Sequence, residues 1–238
     1  MTTAVPENIP QWLRRASESG TDTTDTLTLA RALRRAMTIK GTPRQAAVLV
    51  LFSGSPQSDP NSPGGLPVDA DVLLTQRSST MRQHRGQVAF PGGEVESSDT
   101  GPIDTALREA CEETGVAREG VEPFAVLPKL FVPPSRFDVT PVVAYWRTPR
   151  QVGVVNHGET ERVVRVPLAE LLDPANRFMV RGSVGYMSPA FQVDGMLVWG
   201  LTGGILAGLF KAAGWERDWD HGDIRDLETS LAAVGMTL

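Results

Sequence analysis

The spacing of apolar and polar residues along the chain predicts strands and helices that alternate. Short runs rich in Val and Leu, bounded by turn residues, are typical of buried strands, and such runs occur at 45–52, 71–76, 86–90, 124–130, 139–146, 178–180 and 196–199. Apolar positions three or four residues apart predict helices instead, at 11–17, 27–38, 102–114, 167–172 and 201–213. The Gly-, Ser- and Pro-rich stretch 53–67 predicts a long loop. Together these elements predict one α/β or α+β domain with helices on both sides of a mixed sheet.

The two ends of the chain differ in composition from its middle. Residues 1–22 carry Pro6, Pro10 and a Ser-, Thr- and Gly-rich stretch, whereas 215–238 is acidic. We therefore expect an N-terminal extension over 1–22, one domain over 23–214 and a C-terminal tail over 215–238. Neither an internal repeat nor an interdomain linker is evident in the sequence.

Composition and charge exclude several classes of protein. Of the 238 residues 41% are hydrophobic and 21% charged, which is typical of a globular protein. No apolar run approaches the ~20 residues of a membrane span, and the first residues do not resemble a secretory signal, so we expect a cytoplasmic protein without membrane contact. The single cysteine, Cys111, excludes an intramolecular disulfide and a Cys-cluster zinc site. A net charge of −5 argues against nucleic-acid binding, but a small anionic substrate is compatible with it if arginines or a cation supply local positive charge.

Three glutamates mark the helix 102–114 as the place where chemistry is expected. Glu109, Glu112 and Glu113 stand at positions i, i+3 and i+4, so their carboxylates project from one face. Like charges so close together destabilise a helix, and a divalent cation would reverse that effect. Carboxylate oxygens are hard ligands and favour Mg²⁺ or Mn²⁺. From the helix alone, the alternative is an ordinary solvated acidic face.

The residues around this helix resemble the Nudix box. Gly93, Asp99 and the run Arg108-Glu109-Ala110-Cys111-Glu112-Glu113-Thr114-Gly115-Val116 follow the order of that motif. Two positions depart from it: Asp99 replaces the usual Glu, with eight rather than seven residues before Arg108, and Ala110 is smaller than the usual aliphatic residue. The resemblance implies a Nudix fold, an α/β/α sandwich around a mixed sheet, and hydrolysis of a nucleoside diphosphate linked to another moiety. It also implies that Glu109 and Glu113 are metal ligands, that Glu112 binds the metal directly or through water, and that Arg108 holds a glutamate in place.

A second motif lies upstream of the helix. Leu73-Leu74-Thr75-Gln76-Arg77-Ser78, then Arg82, Gly86 and Phe90-Pro91-Gly92-Gly93, is similar to the signature of coenzyme A pyrophosphatases within the Nudix family. This similarity implies hydrolysis of coenzyme A or its thioesters to 4′-phosphopantetheine and adenosine 3′,5′-bisphosphate. We expect Arg77 and Arg82 to bind the substrate, since guanidinium groups pair well with phosphate oxygens, and Gly92 and Gly93 to let the backbone approach it.

Several alternatives remain open at this level. The Nudix box does not distinguish coenzyme A from ADP-ribose, dinucleoside polyphosphates, NADH or an oxidised nucleotide, and a ligand-sensing module without turnover is a further class. Glu112 and Glu159 are both candidates for the general base, although an exposed loop carboxylate is the more ordinary interpretation of Glu159. Nudix enzymes often dimerise, so a homodimer is expected by analogy only.

Overall fold

A computed structural model describes residues 5–18, 42–78, 85–132, 136–182 and 186–237. The helix predicted at 27–38 lies outside these ranges. So does Arg82, one of the two arginines expected to bind the substrate.

The main sheet is mixed and has eight strands. They are β1 (Arg44–Ser53), β2 (Asp71–Arg77), β3 (Val88–Ala89), β4 (Gly92–Glu94), β5 (Val121–Val126), β6 (Leu130–Val132), β7 (Phe137–Trp146) and β8 (Thr160–Pro167). The strand order is β3-β2-β1-β7-β5, with β4 beside the first half of β1, β6 beside the start of β7 and β8 beside β2. Among the described strands of this sheet, β1 and β7 alone run parallel to each other, and their nearly continuous apolar sequences are buried on both faces of the sheet.

Side chains of β1 alternate between the two faces and enter two cores. Leu49 and Leu51 face the helix α2 (Pro102–Thr114), whereas Val50 and Phe52 face the opposite side. The opposite side is covered by α1 (Gln11–Glu18), by α4 (Gly200–Ala213) and by a second sheet. The predicted three-layer sandwich around a mixed sheet is thereby confirmed.

The second sheet follows the main one in the chain. Its strands β9 (Arg177–Arg181), β10 (Met187–Val193), β11 (Met196–Val198) and β12 (Ile224–Asp226) lie in the order β11-β10-β9-β12. Two short helices complete the fold, α3 (Leu168–Leu171) before this sheet and α5 (Leu227–Ala233) after it. None of the helices in the described ranges combines the length and apolar character needed to cross a bilayer.

Both ends of the described chain reach the larger core. Trp12 of α1 and Trp215, just after α4, are fully buried, and their ring centroids lie 5.5 Å apart. The predicted boundaries of the extension and the tail stay a prediction, but both segments contribute apolar side chains to the core of the domain.

Most of the predicted elements are present, with differences where charge or proline interrupts the apolar pattern. The helix predicted at 102–114 has these bounds, and the one predicted at 201–213 begins one residue earlier. The predicted strand 124–130 is instead two strands, β5 and β6, on either side of Pro128, and the strand predicted at 86–90 is reduced to β3. Strand β8 was not predicted because Glu161, Arg162 and Arg165 break its apolar alternation.

Candidate active site

Helix α2 carries the site and is fixed closely against the main sheet. It begins with Pro102 in its first turn and ends at Gly115, which adopts the left-handed conformation (φ 73°) and donates its N–H to the carbonyl of Cys111. Ala106 and Ala110 face the sheet and are fully buried. The small residue at position 110 is therefore accommodated where helix and sheet are in contact.

Arg108 is the centre of the polar network on this helix. Its Nη1 donates to Glu109 Oε1 (3.0 Å) and Glu112 Oε2 (3.2 Å), and its Nη2 donates to the carbonyl of Glu94 (3.1 Å). The two remaining bonds, each 3.0 Å, run from Nε and Nη2 to the two carboxylate oxygens of Asp99. These five bonds correspond to the five N–H donors of a guanidinium group. These bonds support the prediction that Arg108 holds a glutamate in place. Its role in function stays a prediction.

Asp99, whose spacing departs from the Nudix box, is the main partner of Arg108. Its carboxylate also accepts from the backbone N–H of Glu96 (2.9 Å) and from the hydroxyl of Thr105 (2.9 Å). The side chain is 2% exposed, and the hydrogen bonds from Arg108 hold the pKa of Asp99 far below its usual range. The additional residue before Arg108 therefore does not prevent the loop carboxylate from binding the arginine of the helix.

Glu109 is held between Arg108 and the glycine turn of β4. A Cβ on Gly93 would overlap the carboxylate of Glu109, so only glycine lets this side chain lie where it does. Burial raises the pKa of Glu109, although the ion pair with Arg108 opposes the increase. Position 92 also requires glycine, because a Cβ on Gly92 would overlap the backbone of β1.

Glu113 is the most buried of the three glutamates, with 8% of its surface exposed. Its Oε2 accepts a hydrogen bond from the backbone N–H of Gly92 (3.2 Å). Burial raises the pKa of Glu113 to about 7, and the charges of Glu109 and Glu159 act in the same direction. The Gly92 N–H and the positive charge of Arg77 lower it without cancelling the effect.

Glu112 and Glu159 are both exposed carboxylates at the edge of the site. The side chain of Glu112 is 59% exposed, with Arg108 as its ion-pair partner. Glu159 belongs to the loop before β8, and its carbonyl accepts from the N–H of Ser78 (2.8 Å). The same loop is attached to the end of α2, because Val155 donates its N–H to the carbonyl of Glu113 (3.3 Å).

Of the residues predicted to bind substrate, Gly92 and Gly93 lie against the glutamates, and Arg77 is close enough for its charge to act on Glu113. Arg77 is the last residue of β2, where a register shift opposite β8 interrupts regular pairing. Its charge acts on Glu113, whose pKa it lowers. The charge of Glu159 also acts on Glu113, and this proximity could not be established from sequence spacing alone.

Two carboxylates, the half-buried Glu109 and the buried Glu113, fit a hard divalent cation. In the described ranges, no three Asp, Glu, His or Cys side chains meet closely enough to form a metal site as they stand, and Arg108 forms hydrogen bonds with both Glu109 and Glu112. Glu109 and Glu113 nevertheless lie one helical turn apart, and burial raises the pKa of both. Anionic oxygens that are poorly solvated gain from a cation, and oxygen donors suit Mg²⁺ or Mn²⁺.

Comparison with known proteins identifies the family. The family model of the NUDIX domain matches residues 60–182, just over half of the chain. The chain belongs to the Nudix family. A protein of Klebsiella pneumoniae (strain 342) named "Uncharacterized Nudix hydrolase NudL" is 39% identical over 167 residues, which cover 68% of this chain and 79% of that protein. "Nudix hydrolase 3" of Caenorhabditis elegans is 39% identical over 124 residues, 51% of each protein. The crystal structure of the Nudix hydrolase RenU from M. smegmatis superimposes with a TM-score of 0.42 at 24% identity, over 56% of this chain and 76% of that one.

Membership establishes the general activity. This Nudix chain is a pyrophosphohydrolase that acts on a nucleoside diphosphate derivative, a small-molecule substrate, and Nudix hydrolases generally use divalent metals such as Mg²⁺ or Mn²⁺. The expected cytoplasmic location and the homodimer stay predictions.

Proposed function

We propose that this Nudix hydrolase cleaves the diphosphate bond of coenzyme A or its thioesters. Water adds to one phosphorus, the bridging P–O bond breaks, and the products are 4′-phosphopantetheine and adenosine 3′,5′-bisphosphate. The observation that carries the proposal is the complete upstream signature, from Leu73 to Gly93. Of its two terminal glycines, Gly92 is hydrogen-bonded to Glu113 and Gly93 lies against Glu109, and the charge of Arg77 acts on Glu113.

Charge explains why this signature suits coenzyme A. The substrate has a 3′-phosphate in addition to its diphosphate, whereas the protein has a net charge of −5 and three glutamates at the site. Phosphate oxygens therefore need positive groups at defined places. We assign Arg77 to the substrate phosphates, and Arg82 by its position in the signature, because a guanidinium group can donate two parallel hydrogen bonds to a phosphate.

The residues of α2 have separate roles in this proposal. Glu109 and Glu113 would hold the divalent cation, with Glu112 as a further ligand directly or through water. When bound, the cation would supply positive charge that neutralises diphosphate oxygens. Arg108 and Asp99 keep Glu109 and Glu112 oriented. These carboxylates would therefore lose little orientational entropy when they bind the cation.

Glu159 is the better of the two candidates for the general base. Glu112 is engaged by Arg108, and binding a proton there would weaken that ion pair. Glu159 is exposed and its charge acts on Glu113, so it lies within electrostatic range of the metal ligands. Glu159→Gln is expected to lower kcat about a hundredfold, whereas Glu161→Gln, an exposed neighbour on β8, should leave kcat unchanged.

A substrate panel tests the proposed function. Coenzyme A, acetyl-coenzyme A, ADP-ribose and NADH are incubated with and without Mg²⁺ or Mn²⁺, and the products are separated by chromatography. We expect both coenzyme A substrates to be cleaved to adenosine 3′,5′-bisphosphate only when metal is present. Turnover of ADP-ribose or NADH alone would refute the assignment to coenzyme A, and binding without turnover of any substrate would indicate a sensing module.

A matched pair of arginine variants tests the role of the signature. Arg77→Ala should lower kcat/KM for coenzyme A about tenfold more than for ADP-ribose, which lacks the 3′-phosphate. Arg162 lies on the neighbouring strand β8, opposite Gln76, and its charge is paired with Asp194 (2.6 Å). Arg162→Ala is the control and should leave both substrates unaffected. An equal loss for both substrates in Arg77→Ala would mean that this arginine has a structural role only.

A further inference from the structure

The end of the chain is fixed to the domain at several points after α4. We call residues 215–237 the C-terminal segment. Trp215 is buried in the core, and Glu216 accepts a hydrogen bond from the buried Arg177 (2.8 Å). Strand β12 then pairs in parallel with β9, and Asp226 caps α5 by accepting from the N–H of Thr229 (2.8 Å). The segment therefore has a defined path as far as its last described residues.

This path brings Met236 to Gly86, a glycine of the upstream signature. Met236 is 4% exposed, and its N–H donates to the carbonyl of Leu231 (2.9 Å), which fixes it after α5. Its Cγ lies 3.7 Å from the point that a Cβ on Gly86 would occupy. Among the described residues outside the turn itself, this is the one contact within 4 Å of that point. Gly86 is buried and adopts a positive φ of 63°.

Gly86 is in turn hydrogen-bonded to Arg77, the arginine whose charge acts on Glu113. The N–H of Gly86 donates to the carbonyl of Arg77 (3.1 Å), and the N–H of Arg77 donates to the carbonyl of Gln87 (3.0 Å). The side chain of Gln76 adds a bond to the carbonyl of Gly86 (3.3 Å). A displacement of Gly86 would thus be transmitted to the backbone of Arg77 through two hydrogen bonds.

We propose that Met236 is a positioning residue of the active site, which acts through Gly86 on the backbone of Arg77. The C-terminal segment then has a function in substrate binding although its sequence contains no Nudix motif. Loss of the thioether side chain would leave a cavity next to Gly86 and allow the end of β2 to move. This inference rests on the proposed function, in which Arg77 binds the substrate rather than the metal. Loss of the Met236 side chain should therefore change KM and not kcat.

Two readouts on Met236→Ala test the inference. The first is amide hydrogen exchange at Gly86 and Arg77, which needs no substrate and should become about tenfold faster. The second is steady-state kinetics with whichever nucleoside diphosphate derivative the unaltered protein cleaves, where KM should rise about fivefold with kcat within about twofold. Met236→Leu, which retains most of the side-chain volume, should restore both values. If coenzyme A is not cleaved but another substrate is, the proposed function fails and this test still stands.

The control distinguishes positioning from general stability. Val234→Ala removes apolar atoms from the same segment, where Val234 packs partly buried against the core. It should change neither readout beyond about twofold. Unchanged exchange and KM in Met236→Ala, or equal changes in Val234→Ala, would overturn the proposal. Should Met236→Ala not fold, Met236→Val removes fewer atoms and is judged by the same two readouts.

Discussion

Replacing Glu113 by glutamine should stabilise the metal-free protein while it abolishes turnover. The carboxylate is buried beside Glu109, and its pKa is about 7 rather than 4.5. A pKa that folding raises from 4.5 to about 7 corresponds to about 3 kcal/mol of destabilisation when the group is fully ionised. Glutamine keeps the oxygen that accepts from Gly92 and carries no charge at any pH.

The sign of the pH dependence follows from proton binding. Between pH 4.5 and 7 the folded protein retains the proton on Glu113, whereas the unfolded chain has lost it. The free energy of unfolding therefore falls as pH rises through this range, and the full penalty applies above about pH 7. Glu113→Gln should exceed the unaltered protein in stability by about 3 kcal/mol at pH 8 and by less than about 1 kcal/mol at pH 5.

Thermal unfolding in EDTA measures this difference. For a chain of this length, about 3 kcal/mol corresponds to a rise in Tm of roughly 6 to 12 °C at pH 8. Glu112→Gln is the matched control, because its side chain is 59% exposed and should change the stability by no more than about 0.5 kcal/mol. Saturating Mg²⁺ should raise the Tm of the unaltered protein, and Glu113→Gln should lose most of this response. A variant that is no more stable at pH 8, or equally stabilised at pH 5, would refute the reasoning.

Two further substitutions test how the glutamates are held. Arg108→Lys keeps the positive charge but loses the fork of N–H donors, so kcat should fall at least about tenfold. Arg118→Lys is the control, because the side chain of Arg118 is 46% exposed. Equal kinetics for the two variants would contradict the positioning role of Arg108. Gly93→Ala would place a Cβ against the carboxylate of Glu109 and should lower kcat about a hundredfold with the fold intact by circular dichroism. Gly153→Ala, where a Cβ meets open space, should remain fully active. Normal activity of Gly93→Ala would remove Glu109 from the mechanism.

The sequence predicted the helix of the site better than it predicted the surroundings of that helix. Helix 102–114 has strong local signals, a proline in its first turn and a glycine after its end, and these determine its bounds without tertiary help. Strand β8 lacks such a signal because Glu161, Arg162 and Arg165 interrupt its apolar residues. Arg162 pairs with Asp194 and Arg165 with Asp71, and the pairing of the strand with β2 likewise depends on distant residues. Non-local pairing of this kind is not readable from a window of sequence.

The same distinction applies to the candidate site. Spacing predicts that Glu109, Glu112 and Glu113 share a face of the helix. The three side chains nevertheless differ in how far they are buried, and their burial depends on β4 and on the loop before β8. The contribution of Met236 could not have been predicted, since it lies 150 residues from Gly86 and belongs to no motif. The bidentate bond between Asp99 and Arg108 depends on how the turn before the helix folds.

The three glutamates differ in how their negative charge is balanced, and this difference indicates where a cation gains most. Water solvates Glu112, and Arg108 forms ion pairs with both Glu112 and Glu109. Glu113 is buried and, among the described residues, accepts its hydrogen bond from the backbone N–H of Gly92, and the charge of Arg77 does not restore its ordinary pKa. The charge that the protein compensates least is thus beside Gly92, at the turn shared by both motifs. A divalent ion there would relieve the unfavourable burial of Glu113 and add to the positive charge of Arg77, which acts on the same carboxylate, so the affinity for metal and the affinity for a diphosphate should rise together.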